Sequence, residues 1–181
     1  WALSEANMAN KATIAKLGGI EPLVTLVVDA HSEGALANAQ GGLISLSNKH
    51  AENRSAIAKL IVKLIAKLGQ SSASASSHVH VLCTVRVFAE DGAPNQMALA
   101  NAGAIPQLIA RLAEGDSRDH DYAAAQREAA HALLALATGN PTLQSLIVKS
   151  AGVPPLISLV DKGSVEAQQY AARALLHLAV D

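Results

Sequence analysis

The stretch "NAGAIPQLIARL" at residues 101–112 is the clearest indication of the fold, because it places Gly103 and Pro106 close together in an otherwise helix-forming segment. Related stretches are "KLGGIEPLVTLV" at 16–27 and "SAGVPPLISLV" at 150–160. Glycine accepts the positive φ that often follows a helix end, and proline is tolerated in the first turn of the next helix. Each stretch therefore predicts a sharp corner between two helices, and the corner recurs along the chain.

A second marker is a run of small residues followed by Ala-Leu and further leucines. It reads "EAAHALLALA" at 128–137 and "QYAARALLHLA" at 169–179, with weaker copies "NAQGGLISLS" at 38–47 and "VLCTVRVFA" at 81–89. The markers recur at intervals of 40 to 48 residues, which predicts units of two short helices and one longer third helix. One such unit cannot bury its apolar face alone, so neighbouring units must stack.

The composition favours closely packed helices. Half of the chain is hydrophobic but only 2% is aromatic, so the core must consist of Ala, Leu, Ile and Val. Strand-rich folds usually contain more aromatic and β-branched residues. We therefore expect an all-α fold, a right-handed α-solenoid built from three-helix repeats.

The markers divide the chain into units. The second unit lacks Gly and Pro at its corner ("SAIAKLIVKLI", 55–65), which predicts a fused or gently bent helix, and the third carries an inserted charged loop in "EGDSRDHDYA" (114–123). The predicted ranges are 1–8 for the end of a preceding third helix, then 9–47, 48–89, 90–137 and 138–181 for four repeats.

These residues resemble armadillo repeats. The family pattern, Asn-x-x-apolar, then Ala-Gly-Ala-Ile-Pro-x-Leu, then Ala-x-x-Ala-Leu-x-Asn-Leu-Ala, covers nearly the whole chain. The third and fourth copies match closely, the first matches well and the second matches in part. We interpret the chain as a fragment of a longer armadillo-repeat protein. The resemblance implies a superhelix whose third helices line a concave groove, and it implies that this groove binds extended peptides or protein segments.

The resemblance also implies which positions line the groove. Nuclear-import members of the family carry Trp-Ala-Leu-x-Asn on the third helix, where the Trp and Asn side chains hold a basic peptide. Here Trp1 begins that motif, but Glu5 stands where Asn would be. The equivalent pairs on the later third helices are Gly41 and Ser45, Cys83 and Val87, His131 and Ala135, and Arg173 and His177. Arg127 lies one turn before His131 on the same helix and joins them. These pairs include no second Trp and no Asn, so the sequence does not predict binding of basic import signals.

Two interpretations of this row stay open. Arg127 and His131 lie one turn apart, as do Arg173 and His177, so each pair shares a helix face. Stacked neighbours could bring the pairs together as a weakly basic pocket for an acidic or phosphorylated segment. Alternatively, they are ordinary solvated residues on a solenoid face.

Other signals point away from enzymes and nucleic acids. His78 and His80 are the closest histidine pair, but no cysteine or carboxylate joins them at a zinc-ligand spacing. The sequence indicates no base to activate Cys83, which we interpret as a small packing residue. Asn53 begins a formal glycosylation sequon inside a predicted helix, and we discount it. We expect no catalytic residue, no metal and no cofactor.

The charge and the single cysteine narrow the partners and the compartment. The net charge of −1 argues against a nucleic-acid partner, and no apolar run approaches the length of a membrane span. A single cysteine fits a reducing, intracellular compartment, either cytoplasm or nucleus. Since neither end carries a polar cap, we expect flanking repeats or other subunits to cover the exposed ends.

We therefore predict a non-enzymatic scaffold that binds a protein segment along its groove. The alternatives are a structural subunit of a large assembly, or a regulatory module attached to an enzyme domain outside this fragment.

Overall fold

A computed structural model describes residues 8–68, 75–113 and 120–179 as α-helices joined by short turns, with no strand in these ranges. Residues 1–7 lie outside the described residues, and with them Trp1, Glu5 and nearly all of the predicted range 1–8. Residues 114–119, which form most of the inserted loop, lie outside them as well. In chain order the helices are α1 (Met8–Lys16), α2 (Ile20–Asp29), α3 (Glu33–Ser47), α4 (Ala51–Leu68), α5 (Ala75–Glu90), α6 (Ala93–Asn101), α7 (Ala104–Ala113), α8 (His120–Ala137), α9 (Pro141–Lys149), α10 (Val153–Lys162) and α11 (Val165–Ala179).

The helices follow the predicted order of two short elements and one longer element, except in the second group. There α4 runs through 18 residues without interruption, because its sequence contains neither glycine nor proline. The prediction of a fused helix is therefore confirmed. The repeat boundaries at 9–47, 48–89, 90–137 and 138–181 stay a prediction.

Polar side chains cap several helix starts. The Ser32 hydroxyl accepts a hydrogen bond from the Ala35 amide at the start of α3, and Ser164 does the same for Ala167 at the start of α11. At α9 the Asn140 side-chain oxygen accepts from the Leu143 amide. Each cap satisfies an amide that has no partner inside its helix, which fixes where the helix begins.

The three corners are not equivalent, which corrects part of the sequence interpretation. Gly18 and Gly103 have φ of +81° and +93°, as predicted for glycine after a helix end. At the last corner the positive φ of +60° belongs to Ala151, whereas Gly152 has φ of −73°. A Cβ on Gly152 would lie 2.8 Å from Ile147 Cγ2 and 3.0 Å from the Ile147 carbonyl oxygen. Glycine is needed there because the two helices approach closely, not because of its backbone conformation.

Substitutions at this corner should have opposite effects. Ala151→Gly removes the strain of an alanine at positive φ, so we expect the free energy of unfolding to rise by up to about 1 kcal/mol. Gly152→Ala pushes a methyl group into Ile147, so we expect a loss of about 1–3 kcal/mol. Urea denaturation followed by circular dichroism measures both. If Ala151→Gly lowered the free energy of unfolding and Gly152→Ala left it unchanged, the roles assigned to these two residues would be contradicted.

The longer helices α3, α5, α8 and α11 form a row in which each contacts the next. The shorter helices pack against this row, for example α2 on α3, α7 on α8 and α10 on α11. The core is one continuous cluster of buried aliphatic side chains, with Phe88 as its large aromatic member. In α8 the whole stretch 132–137 is buried, because helices pack against it from both sides. The small side chains of the sequence thus permit close approach of several helices at once.

Buried amides connect the first helices of successive groups. The Asn53 side chain donates to the carbonyl oxygens of Lys11 and Leu46, both at 3.2 Å. Further along, the Gln96 amide donates to the carbonyl oxygens of Ala135 (2.8 Å) and Thr138 (3.2 Å). Asn140 in turn donates to Gln96 Oε1 at 3.0 Å. The Lys11 carbonyl lies within α1, whereas Leu46, Ala135 and Thr138 lie at or just after the ends of α3 and α8. The amides at the start of the first helices thus satisfy carbonyl groups at the end of a preceding long helix. Asn53 is itself buried, in agreement with our decision to discount the sequon.

Candidate functional site

The predicted groove residues that the structure describes all lie on α3, α5, α8 and α11. Ser45 and Ala135 are only 7% and 6% exposed, so their side chains belong to the packed interior of the row. Arg173 is exposed, and the rest are partly exposed, namely Gly41, Cys83, Val87, Arg127, His131 and His177. The described part of the predicted groove therefore offers a partner fewer contact positions than the sequence pattern assigned.

Gln40 connects α3 to α5. Its side-chain amide donates to Thr84 Oγ1 at 3.0 Å and approaches Cys83 Sγ at 3.7 Å. The sulfur also accepts from Arg86 Nη2 at 3.3 Å. Gln40 and Arg86 thus both approach the Cys83 sulfur with N–H donors. Neither the amide nor the guanidinium group can take a proton from a thiol.

Arg86 connects α5 to α8. Its Nη1 atom lies 2.8 Å from Glu90 Oε2 and its Nε atom lies 3.4 Å from Glu128 Oε2. Burial lowers the pKa of Arg86, but the combined effect of Cys83 and Glu90 is larger, so the net pKa is raised. Arg127 shares the same acceptor, with Nη2 at 3.1 Å from Glu128 Oε1. Arg86 and Arg127 are therefore both paired with glutamates.

His131 connects α8 to α11. Its ring stacks on Tyr170 with a centroid separation of 3.8 Å and an interplanar angle of 14°. On the other side, Nε2 lies 3.5 Å from Glu90 Oε1. Burial and the charge of Arg86 lower the pKa of His131, with a further contribution from Arg173, and together they outweigh Glu90 and Glu128. His131 is therefore neutral at neutral pH, and Arg173 is close enough to act on it.

The lowered pKa of His131 predicts a pH-dependent stability. When the pKa of a histidine is lower in the folded state than in the unfolded state, the free energy of unfolding decreases as the pH falls through the unfolded value of about 6.5. We expect the wild type to lose stability relative to His131→Phe between pH 8 and pH 5, since phenylalanine keeps the stack on Tyr170 but does not titrate. Urea denaturation at a series of pH values measures this difference. A difference that does not change with pH would contradict the prediction.

We name the polar row as Gln40, Thr84, Arg86, Glu90, Glu128, His131 and Tyr170. The sequence analysis assigned none of these to the groove except His131. Helical spacing could have indicated two of them, because Arg86 and Glu90 lie three and seven residues after Cys83 and share its face. The contacts from Arg86 to Glu128 and from His131 to Tyr170 depend on the register between helices, which no pattern within one helix determines.

Among residues 8–68, 75–113 and 120–179, no group of three or more His, Cys, Asp or Glu side chains could hold a metal ion. Within the same ranges no single helix is long and apolar enough to cross a membrane. Helices α9 and α10 taken together are long and apolar enough by length and composition alone, and the chain bends by 84° at the break between them.

Comparison with known proteins identifies the repeat type. The sequence profile of the Armadillo/beta-catenin-like repeat family matches residues 140–180. Among curated proteins, the chain is similar to U-box domain-containing protein 12 of Arabidopsis thaliana, with 31% identity over 97 residues. The match covers 53% of this chain but only 14% of that protein.

Solved structures share the whole described fold. An engineered protein matches with a TM-score of 0.64 and 25% identity, over 97% of this chain and 68% of its own. A designed armadillo repeat protein in complex with peptide (KR)4 matches with a TM-score of 0.65 and 21% identity, over 97% of this chain and 70% of its own. The predicted all-α solenoid is thus confirmed, and the repeat at 140–180 together with these likenesses supports the predicted armadillo-repeat family.

Proposed function

We propose that this chain is a non-enzymatic, intracellular interaction scaffold of four repeats that binds an extended segment of a partner protein. The observation that carries the proposal is the polar row, which runs across α3, α5, α8 and α11 through contacts between adjacent helices. An extended segment that crosses several helices meets the partly exposed Gln40, Arg86, His131 and Tyr170 in turn. The buried Thr84 and Glu128 hold two of these side chains in place. Such a surface suits recognition of a chain, because each helix adds a small and separate contribution to affinity.

The arginines beside the polar row, Arg127 and Arg173, favour an acidic segment. The described face contains Arg86, Arg127 and Arg173, against Glu90 and Glu128. Since Glu90 and Glu128 pair with Arg86 and Arg127, the exposed Arg173 is the principal cation for a partner, and Arg127 shares its charge with Glu128. His177, one turn after Arg173, adds a further donor. We therefore propose that carboxylates or phosphates of the partner lie over α8 and α11.

A relative in fold supports the choice of a peptide as ligand. The designed armadillo repeat protein is in complex with the basic peptide (KR)4. We expect the present chain to bind a peptide on the corresponding surface, with a preference for an acidic peptide. Electrostatic complementarity sets which partner is accepted and how fast it associates.

Fluorescence anisotropy with two labelled peptides tests the proposal. One is (KR)4 and the other is a peptide of alternating Asp and Glu of the same length. We expect the acidic peptide to bind more tightly, with an affinity that falls as salt is added. The double variant Arg127→Glu and Arg173→Glu should weaken that binding by at least about tenfold.

Lys63→Glu is the matched control, because Lys63 is exposed on α4 and lies outside the polar row. It changes the net charge in the same direction and should leave the affinity nearly unchanged. Equal affinity of the double variant and wild type, or a preference for (KR)4, would contradict the acidic-segment proposal.

A second candidate is a module attached to a further domain or built into a larger assembly. The similarity to a U-box domain-containing protein favours it, since the chain spans 14% of that relative. Large apolar side chains are also exposed at the last repeat, among them Ile157, Val165 and Leu176. Crosslinking in the full-length protein distinguishes the two: contacts on these three residues favour the module, and contacts on the polar row favour the groove.

A further inference from the structure

A small notch lies between α4 and α6, on helices that contribute nothing to the polar row. Its volume is about 240 Å³. The lining comes from the first half of α4 and from α6 with the residue that follows it, namely Ala51, Arg54, Ser55, Lys59, Pro94, Met97, Ala98, Asn101 and Ala102. The notch is thus a separate surface from the proposed peptide groove.

The notch follows from the sequence of the two facing helices. Ala51 and Ser55 lie one turn apart on α4, and Ala98 and Ala102 lie one turn apart opposite them. These short side chains cannot fill the space where the two helices meet.

The lining combines an apolar wall with two cations. Pro94 and Met97 supply the apolar side, and Arg54 and Lys59 supply positive charge, while no carboxylate lines the notch. Arg54 is held in place, because its Nε donates to Asn95 Oδ1 at 2.9 Å and its Nη2 donates to the Ser47 carbonyl at 3.2 Å.

The two cations are not equally available. The charge of Arg54 also acts on Asp91, whose pKa is nevertheless raised because burial has the larger effect. Part of the Arg54 charge is therefore already opposed by a carboxylate outside the notch. Lys59 is exposed and is the principal cation for an incoming anion.

The size of the notch limits what it can hold. Pockets for whole cofactors or drug-sized molecules usually have about 300–1,000 Å³, so this volume fits one apolar side chain with its terminal group. We propose that the notch binds the carboxyl-terminal residue of a partner protein. The apolar side chain of that residue enters beside Met97 and Pro94, and its α-carboxylate pairs with Lys59 and the outer N–H groups of Arg54.

Nuclear magnetic resonance titration of the whole chain with two small probes tests the proposal. One probe is the tripeptide N-acetyl-Gly-Ala-Leu with a free carboxylate, and the other is its carboxyl-terminal amide. We expect saturable shifts of the Lys59, Met97 and Asn101 amides with the acid, and binding weaker by at least about tenfold with the amide.

Three variants separate charge from shape. Lys59→Ala removes the principal cation, and Ser55→Leu fills the space from an exposed position while both cations stay; each should weaken binding of the acid by at least about tenfold. Lys63→Ala, one turn further along α4 and outside the lining, should bind like wild type. Equal binding of acid and amide, undiminished binding to Ser55→Leu, shifts confined to the polar row, or no saturable shift would each overturn the proposal.

Discussion

Phe88→Ala is expected to lower the free energy of unfolding by about 3–5 kcal/mol, the largest effect we predict for an apolar side chain in this protein. Phe88 is 1% exposed on α5, which contacts α2, α3, α4, α6 and α8. The buried hydrophobic neighbours in this core are Ala, Leu, Ile and Val, and in a closely packed core they do not move far enough to fill the space of an aromatic ring. The variant therefore loses the transfer free energy of the ring and also retains much of a cavity.

Urea denaturation followed by circular dichroism gives the difference. Phe88→Leu keeps most of the volume and should cost no more than about 1.5 kcal/mol. Val87→Ala is the matched control, because Val87 is the next residue on α5 and is only half-buried. A Phe88→Ala variant that is no less stable than Val87→Ala would show that the central helix does not pack as described.

Corners and helix ends were the part of the fold most accessible from the sequence. Gly103 followed by Pro106 gave a local signal that does not depend on neighbouring units, and the corner is present where it was predicted. The absence of both residues in 55–65 likewise sufficed to predict the continuous α4. At the last corner the sequence pointed to Gly152, whereas the positive φ belongs to Ala151, which stands three residues before Pro154 as Gly103 stands before Pro106.

The candidate site was less accessible because its geometry arises between helices. Spacing along one helix placed His131 on the correct element, but its partner Tyr170 lies on the next helix of the row. Similarly, Arg86 meets Glu128 only once α5 and α8 are in register. The basic pocket expected at Arg127, His131, Arg173 and His177 stays a prediction. The packing adds what the spacing did not show, namely that Glu90 and Glu128 pair with Arg86 and Arg127, while Arg173 on α11 is exposed.

Gln96→Glu is expected to destabilise the protein by about 3–5 kcal/mol at pH 7, although it replaces one atom of a side chain. Gln96 is 6% exposed, and its amide nitrogen donates to the carbonyl oxygens of Ala135 and Thr138. In the variant a carboxylate oxygen faces both carbonyls and can donate to neither. The other oxygen still accepts from Asn140, so only one side of the contact changes.

The pH dependence distinguishes a buried charge from a lost hydrogen bond. Burial beside two carbonyl oxygens should raise the pKa of the introduced carboxyl, so the folded variant binds a proton that the unfolded chain has released. The deficit relative to wild type should therefore shrink as the pH falls from 7 toward the unfolded value of about 4.3. Gln96→Met also loses both donations but cannot titrate, so its deficit of about 1–3 kcal/mol should stay constant with pH. Gln169→Glu makes the same chemical change at an exposed position of α11 and should have little effect. If Gln96→Glu matched Gln169→Glu at pH 7, then Gln96 would not be the buried connection between α6 and the end of α8 that holds the third group of helices together.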